Sequence, residues 1–307
     1  MNIKLSPLDV ARCFEEVPKP LDFIMPGFVV GTVGCLAATG STGKSFAAIE
    51  VAVGVCSLDA DKSLLNIGIC KEGEVAIFNA EDPSSVLHLR LNSISNHLSS
   101  EVRLKVISNL AIYPLVGKCA DIMNKEWQAA ILEAGKGKRL LIFDTFSRWH
   151  KLNENDNGQM SQVIGVFEMI ATITGASVLF LHHTGKSAAM NGEQDKQQST
   201  RGASAITDNC RWQAFMQTMT EEEMKKFNIS AELRKSYVQI AGNKENYGPS
   251  TKQKWLKRAE GGVLITAEDI TRINNSGNKS SAKVVKSNST TNWSENLKNT
   301  LKERKYE

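Results

Sequence analysis

Apolar runs alternate with amphipathic stretches along the first two thirds of the chain. Runs rich in Val, Ile, Leu and Phe predict β-strands at 29–38, 74–79, 110–115, 139–144 and 176–182. Stretches with apolar residues at helical spacing predict helices at 45–57, 83–98, 125–134 and 158–174. Residues 140–143 and 177–181 are apolar throughout, which is typical of parallel strands covered on both faces. The order predicts an α/β fold in which helices flank a doubly wound, mostly parallel sheet.

The pattern changes after residue 210, where strands follow one another around a short predicted helix at 221–227. The strands of this C-terminal β extension are predicted at 211–219, 236–242, 255–257 and 262–265. Residues 272–307 are polar, and they hold too few apolar side chains to offset the entropy lost on ordering. We therefore interpret 1–27 as an N-terminal helical segment packing on the core, 28–271 as the main domain and 272–307 as a basic, disordered tail.

Composition and charge refine this division. The chain of 307 residues is 41% hydrophobic and 23% charged, which is ordinary for a globular protein. Residues 272–307 carry eight Lys/Arg against three acids, whereas the rest of the chain has 29 basic and 30 acidic residues. Since the body is nearly neutral, contacts with nucleic acid there would have to come from local loops.

Membrane and secretory classes are not indicated. The longest nearly apolar stretch, 28–38, is shorter than the roughly 20 residues of a transmembrane helix. The first residues contain no apolar segment typical of a secretory signal, and the six cysteines form no CxxC pair of the kind that binds zinc. The expectation is a cytoplasmic protein that does not bind membranes.

The clearest chemical signal is the segment ATGSTGKS, from Ala38 to Ser45, between a predicted strand and a predicted helix. It matches the P-loop pattern GxxxxGK[ST] except that Ala38 replaces the first glycine. Lys44 would reach the β/γ-phosphates and the Ser45 hydroxyl would bind Mg²⁺, so the motif predicts ATP as substrate and Mg²⁺ as cofactor. The backbone that would curl around the phosphates at the helix N-terminus belongs to Thr39, Gly40, Ser41, Thr42 and Gly43.

Two strand ends supply candidate carboxylates. Asp144 ends an apolar strand at the sheet edge where ligands bind, which is the Walker B position that holds Mg²⁺ directly or through water. Glu81 follows another strand and is the candidate general base for the attacking water, whereas Asp82 before Pro83 fits a helix N-cap. The simpler alternatives are that Asp144 is a capping or loop residue and that Glu81 and Asp82 both only cap.

The last predicted strand of the core ends in His182 and His183. Adjacent strand residues point to opposite faces, so the two imidazoles are not expected to serve one site. One of them could sense the γ-phosphate and relay its presence to the following loop, while a histidine satisfied within the core is the plain alternative.

The order of these motifs resembles that of RecA-fold replicative helicases, in particular the small homohexameric RepA helicases of broad-host-range plasmids. The resemblance covers roughly residues 10–265 and excludes the tail. It rests on the P-loop together with Pro20-Leu21-Asp22-Phe23, Asn79-Ala80-Glu81-Asp82-Pro83, Gln162-Val163-Ile164-Gly165, Phe180-Leu181-His182-His183, Asp208-Asn209-Cys210-Arg211-Trp212 and Asn246-Tyr247-Gly248.

This resemblance implies a RecA-like fold and a ring of six subunits that hydrolyses ATP between neighbours and translocates on single-stranded DNA. It also implies plasmid initiator and primase proteins as partners, in the replication of a plasmid or mobile element. By motif, His183 falls on the family's sensor position and Arg211 on the arginine finger that reaches a neighbour's γ-phosphate. The family's Lys-x-Arg pair reads Lys244-Glu245-Asn246 here, so the resemblance leaves Lys244 as a contact in trans and moves the finger's role to Arg211. A structural salt bridge is the alternative for Arg211.

Two polar, glycine-containing segments, 147–158 and 185–201, would face the central channel of such a ring. Their basic residues, which could hold DNA phosphates, are Arg148, Lys151, Lys186 and Arg201. Acidic residues in the same segments argue against a static basic clamp, and solvated loop charge is an equal alternative.

Two other functional classes stay open. A recombination-type or clock-type ATPase of the RecA fold would share the ring or filament chemistry without processive unwinding. A monomeric P-loop phosphotransferase would need a pocket for a small substrate and no arginine from a neighbour.

Overall fold

Strand pairing builds a nine-stranded sheet in the residues that this computed structural model describes, which are 5–184, 205–248 and 253–270. Its strands are β3 (Val33–Ala38), β4 (Val75–Asn79), β5 (Leu110–Pro114), β6 (Leu140–Asp144), β7 (Ser177–His183), β8 (Trp212–Thr218), β9 (Tyr237–Glu245), β10 (Lys254–Arg258) and β11 (Leu264–Thr266). The order across the sheet is β11-β10-β9-β8-β3-β7-β6-β4-β5. Strands from β8 to β5 pair in parallel, whereas β9, β10 and β11 add antiparallel pairs, so the predicted sheet and its C-terminal extension are confirmed.

Helices cover both faces of this sheet, in agreement with the predicted class. They are α1 (Val10–Glu15), α2 (Lys44–Cys56), α3 (Leu58–Ser63), α4 (Ser84–Ser95), α5 (Ser100–Asn109), α6 (Lys125–Ala134), α7 (Asn157–Thr174), α8 (Ala205–Asp208) and α9 (Glu221–Lys226). A short hairpin, β1 (Phe23–Met25) with β2 (Phe28–Val29), precedes the sheet.

Strand β6 is apolar at every position before Asp144 because both of its faces are buried. Leu140 and Ile142 are buried in one apolar cluster, and Leu141 and Phe143 are buried in a second cluster. Because successive strand side chains point to opposite faces, a strand between two helical layers needs apolar residues at every position.

Local boundaries differ from the prediction in three places. The strand predicted at 29–38 is interrupted by a turn in which Gly31 has φ +79°, a conformation that glycine adopts without strain. The helix predicted at 83–98 ends at Ser95, and α5 follows it as a separate helix that the pattern did not predict. The short α3 was also not predicted.

The N-terminal helix α1 does not pack on the core as predicted. None of its residues is buried, and Val10 and Phe14 are among its exposed apolar side chains. Residues 23–25 are buried, but as a strand and not as part of a helix.

The chain divides into two units, Met1–Glu268 and Asp269–Glu307, and only two residues of the second unit are described. The tail predicted at 272–307 therefore lies outside the described residues, and the boundary at 271 stays a prediction. Within the described ranges, no helix combines the length and apolar character needed to cross a bilayer.

Strand register sets the position of the candidate site. In the parallel pairs, Ala38 lies opposite His183 and Asn79 lies opposite Asp144. Each of these residues ends its strand, so the P-loop, both candidate carboxylate segments and the histidine pair converge on one edge of the sheet. This is the edge at which open α/β folds bind ligands.

Candidate nucleotide-binding site

The P-loop forms the tight turn that phosphate binding requires. Gly43 has φ +93° and stands as the N-cap residue of α2, and Ser41 also has a positive φ of 63°. The hydroxyls of Thr39 and Thr42 lie 2.9 Å apart and brace the turn from within. The free N–H groups at the start of α2, together with the helix dipole, make this turn a suitable anion site.

Lys44 is buried at the base of this turn. Its Nζ donates to the backbone carbonyl of His182 at 2.9 Å, which ties the P-loop to the end of β7. Burial lowers the pKa of Lys44 to about 8, and the Asp144 carboxylate opposes this shift. An ammonium group carries three donors, so Lys44 can keep this bond and still contact a phosphate.

Asp144 ends β6 and is 2% exposed. Burial raises the pKa of its carboxyl to about 6, while the neighbouring Ser45 hydroxyl and the Lys44 ammonium oppose the rise. Oδ1 of Asp144 is buried and has no hydrogen-bond partner among the described residues, although the Ser45 hydroxyl is close enough to the carboxylate to lower its pKa. A buried oxygen without a partner is costly, so a hard cation such as Mg²⁺ fits between Ser45 and Asp144.

Asn79 joins the two candidate carboxylate segments, and the sequence interpretation gave it no role. Its Nδ2 donates to Asp144 Oδ2 at 3.1 Å, and its Oδ1 accepts from the backbone N–H groups of Glu81 (3.2 Å) and Asp82 (2.7 Å). A carboxamide can donate to a carboxylate with its NH₂ group and accept from amides with its oxygen at the same time. A polar residue ending a buried strand just before Glu81 was the available signal.

Glu81 and His183 face each other across the cavity above the P-loop. The Nε2 of His183 lies 3.9 Å from Oε2 of Glu81, and both side chains are partly open to solvent. This imidazole, more than Lys44 or Arg148, lowers the pKa of Glu81 against the opposing effect of burial. Glu81 is thus ionised at neutral pH, as a general base must be. His182 instead is buried, with its ring edge-on to Phe146.

Asp82 does not cap the following helix as predicted. The helix α4 starts at Ser84 with Pro83 at the N-cap position and without a side-chain cap. Asp82 instead forms an ion pair of 2.6 Å with Arg90 on α4, and both side chains are largely shielded. This pairing occupies the Asp82 carboxylate and leaves Glu81 as the carboxylate open to the cavity.

The P-loop, Glu81 and His183 line a cavity of about 300 Å³, a volume that holds the phosphate chain of a nucleotide. Its lining residues are Thr39, Ser41, Thr42, Gly43, Lys44, Ser45, Phe46, Glu81, Arg90, His183 and Arg258. Two arginines in this set, Arg90 and Arg258, were not predicted. Arg258 comes from β10, and its Nη2 donates to the Ser41 carbonyl at 2.9 Å.

Arg211 and Lys244 lie outside this cavity. The Arg211 side chain is exposed and makes no hydrogen bond or ion pair with the described residues, so the salt bridge considered as its alternative is not formed there. Lys244 on β9 donates to the backbone carbonyl of Asp208 at 2.6 Å. Neither residue contributes to the P-loop site of its own chain.

The segment predicted to face a channel after β6 is only partly open. Trp149 and His150 are buried in the body, where the Trp149 ring lies edge-on to Phe143 at 4.9 Å between ring centroids. Arg148 and Lys151 on either side are exposed, and Arg148 is close enough to Glu81 to lower its pKa. Lys186 and Arg201 fall outside the described residues.

Solved structures share this fold. A structure described as the ATPase domain of G40P aligns at 15% identity with a TM-score of 0.56, covering 84% of this chain and 95% of that chain. A DnaB-like replicative helicase, described with its interactions with primase, aligns at 14% identity and a TM-score of 0.58, covering 83% and 66%. A RadB recombinase aligns at 11% identity and a TM-score of 0.48, a likeness too low to argue from. The first two show that the predicted RecA-like fold is correct.

The family comparison adds to this likeness in fold. A family model described as AAA domain matches residues 2–189, which include the P-loop, Glu81, Asp144 and both histidines. The match supports an enzyme that hydrolyses nucleoside triphosphates. Because it spans more than half of the sequence, the chain belongs to the AAA domain family.

Proposed function

We propose that this chain is an ATP-driven, homohexameric DNA helicase that translocates on single-stranded DNA during replication of a plasmid or mobile element. The observation that carries the proposal is one cavity that brings the P-loop together with Glu81 and His183 above the buried Asp144. A phosphate cradle, a metal-binding carboxylate and an ionised base are the parts that hydrolysis of a γ-phosphate requires.

The roles follow from position. The N–H groups of the P-loop and the Lys44 ammonium bind the phosphate chain, and Ser45 and Asp144 hold Mg²⁺. Bound Mg²⁺ would neutralise charge on the phosphate oxygens. Glu81 orients the attacking water and accepts its proton at the carboxylate, and His183 lies 3.9 Å from that carboxylate and stabilises its ionised form.

A ring explains the two basic residues that stand outside the cavity. Arg211 is exposed and unpaired among the described residues, so its guanidinium is available to the P-loop site of an adjacent subunit. An arginine supplied in this way stabilises the charge that develops during phosphoryl transfer. Lys244, one strand over on β9 and opposite Gln213, is proposed to approach the same neighbour.

Exposed apolar surface supports association between copies. Besides α1, an apolar groove of about 400 Å³ lies between α4 and α5, and Leu104 and Ile107 beside it are more than half exposed. Apolar patches of this kind on a folded chain usually mark an interface. The comparison structure of a DnaB-like helicase, described with its interactions with primase, supports primase as a further partner.

Contacts with DNA are proposed for Arg148 and Lys151, and for Lys186 and Arg201 in the following segment. The interaction between Arg148 and Glu81 gives the first of these loops a link to the hydrolysis site. A phosphate that draws Arg148 away would change the electrostatic environment of the base. The net positive charge of 272–307 would add non-specific affinity that weakens as salt rises.

One experiment distinguishes the proposed ring-shaped DNA motor from a monomeric phosphotransferase. The mass of the protein with Mg·ATP is measured by light scattering, and ATP hydrolysis is measured with and without single-stranded DNA. We expect a mass of about six subunits and a DNA-dependent rise in hydrolysis. A monomer whose hydrolysis ignores DNA would favour the small-molecule phosphotransferase instead.

A further inference from the structure

Arg258 lines the nucleotide cavity although it lies more than 200 residues after the P-loop in the sequence. It is the last residue of β10, three strands from the P-loop strand β3 in the sheet order. Its Nη2 donates to the Ser41 carbonyl at 2.9 Å, and a Cβ placed on Gly43 would lie 2.8 Å from its Nη1. The guanidinium thus packs directly against the turn that cradles phosphate.

The guanidinium has donors to spare. Arginine presents five N–H donors in a planar fork, and the bond to Ser41 uses one of them. Arg258 also lines the same cavity as Lys44 and Ser45. A phosphate chain in that cavity would meet a pre-positioned fork suited to two of its oxygens.

The positive charge of Arg258 is not neutralised in the way that of Arg90 is. Arg90 forms an ion pair with Asp82 at 2.6 Å, whereas Arg258 forms no ion pair with any described residue. The carboxyl group with the main electrostatic effect on Arg258 is that of Glu50 on α2. One oxygen of Glu50 accepts a hydrogen bond from the Leu264 N–H at 2.8 Å. Burial raises the pKa of Glu50, while the Leu264 N–H and the Arg258 guanidinium oppose the rise.

We propose that Arg258 is a nucleotide-binding residue that acts in cis, with its guanidinium contacting the phosphate chain held by the P-loop of its own subunit. This inference deepens the proposed function and rests on it. The C-terminal β extension then completes the nucleotide site, and Gly43 is required both for its backbone angle and for the space that the guanidinium fills.

The test measures the Kd of Mg·ADP for the full chain by calorimetry. Arg258→Met keeps much of the stem and removes the charge, and we expect it to weaken binding by roughly 10- to 150-fold, the range for hydrogen bonds to a charged group. Lys257→Ala is the matched control, since it removes a charge from the adjacent position on the other face of the strand. It should bind as the wild type does.

The dependence of Kd on ionic strength distinguishes a lost contact with phosphate from a change in the structure of the P-loop. The ratio of variant to wild-type Kd should shrink as ionic strength rises, because screening weakens the lost attraction. A ratio that does not change with salt would assign the defect to the shape of the P-loop and overturn the proposal. Arg258→Lys, which keeps the charge, should recover part of the lost affinity.

The outcomes distinguish this inference from the function on which it rests. A wild-type protein that does not bind Mg·ADP would refute both. A wild type that binds, with Arg258→Met within twofold of it, would refute the role of Arg258 alone. Arg258→Ala serves as a second neutral variant, and if neither variant folds, Arg258 is a structural residue and the assignment falls.

Discussion

Replacing Glu81 with Gln tests the hydrolytic chemistry with the smallest change in shape. The amide keeps the volume of the side chain but cannot accept the proton of the attacking water. Removal of a general base costs about 10²- to 10⁴-fold in rate, or about 3 to 5 kcal/mol of barrier. We expect the upper part of this range, because Asp82 is held by Arg90 at 2.6 Å and Asp144 is buried, so neither carboxylate can take over.

The assay is single-turnover hydrolysis of ATP, with nucleotide binding measured separately on the same protein. Glu81 is negative at pH 7, as an ordinary glutamate is, and His183 lowers its pKa further. The neutral amide therefore removes a repulsion against the phosphates. Affinity for Mg·ATP should therefore stay the same or rise while hydrolysis collapses. Asp82→Asn is the control: it breaks the ion pair with Arg90 and should keep hydrolysis within about tenfold of the wild type.

Hydrolysis by Glu81→Gln within threefold of the wild type would refute this assignment. A loss of nucleotide affinity in parallel with hydrolysis would instead mean that Glu81 supports the cavity and not the chemistry. The two measurements together leave no ambiguity between these outcomes.

Three further predictions concern the surroundings of this base. Asn79→Asp places a second carboxylate about 3.1 Å from that of Asp144 at the Walker B position, and the repulsion between them raises the pKa of the pair. Hydrolysis should then fall roughly tenfold for each pH unit below that raised pKa. A pH–rate profile would show this loss as a recovery of activity at high pH. Lys44→Ala and Arg211→Ala should each be nearly inactive, yet an equal mixture should regain single-turnover activity at about one interface in four if the arginine acts in a neighbouring site of a symmetric ring. No recovery in mixed rings confirmed by native mass spectrometry would contradict that arrangement. Gly43→Ala should lower the free energy of unfolding by at least about 1–2 kcal/mol because of its positive φ, whereas Gly40→Ala, which has open space around it, should change it by less.

The central sheet was predictable because burial on both faces leaves a direct trace in the sequence. The apolar run at 140–143 is uninterrupted because helices cover that strand on both faces. The residues before Lys44 are small because the backbone there forms a phosphate-binding turn. The helix α5 was missed since it buries only Val102, so tertiary contacts impose almost no periodic pattern on it. In α3 the buried residues include the acidic Asp61, which accepts from three backbone N–H groups and does not look like a core residue in sequence.

The site was predictable as far as its motifs are local. Asp144 ends a recognisable strand and Glu81 follows shortly after another, and the parallel pairing of these two strands brings both residues to one edge. Arg258 lies more than 200 residues from the P-loop, and no spacing rule connects β10 with that loop before the antiparallel extension is folded. The prediction for α1 failed for another reason. Its apolar residues indicate that the helix has a face to bury, but they do not indicate which surface covers that face.

The most direct test of the proposed function is strand displacement on a forked DNA duplex. The wild-type protein with Mg·ATP should separate the strands, and the activity should vanish with a non-hydrolysable ATP analogue and in Lys44→Ala. Wild-type protein that hydrolyses ATP faster in the presence of single-stranded DNA, yet leaves the forked duplex intact, would contradict the helicase and favour a RecA-fold motor that does not unwind.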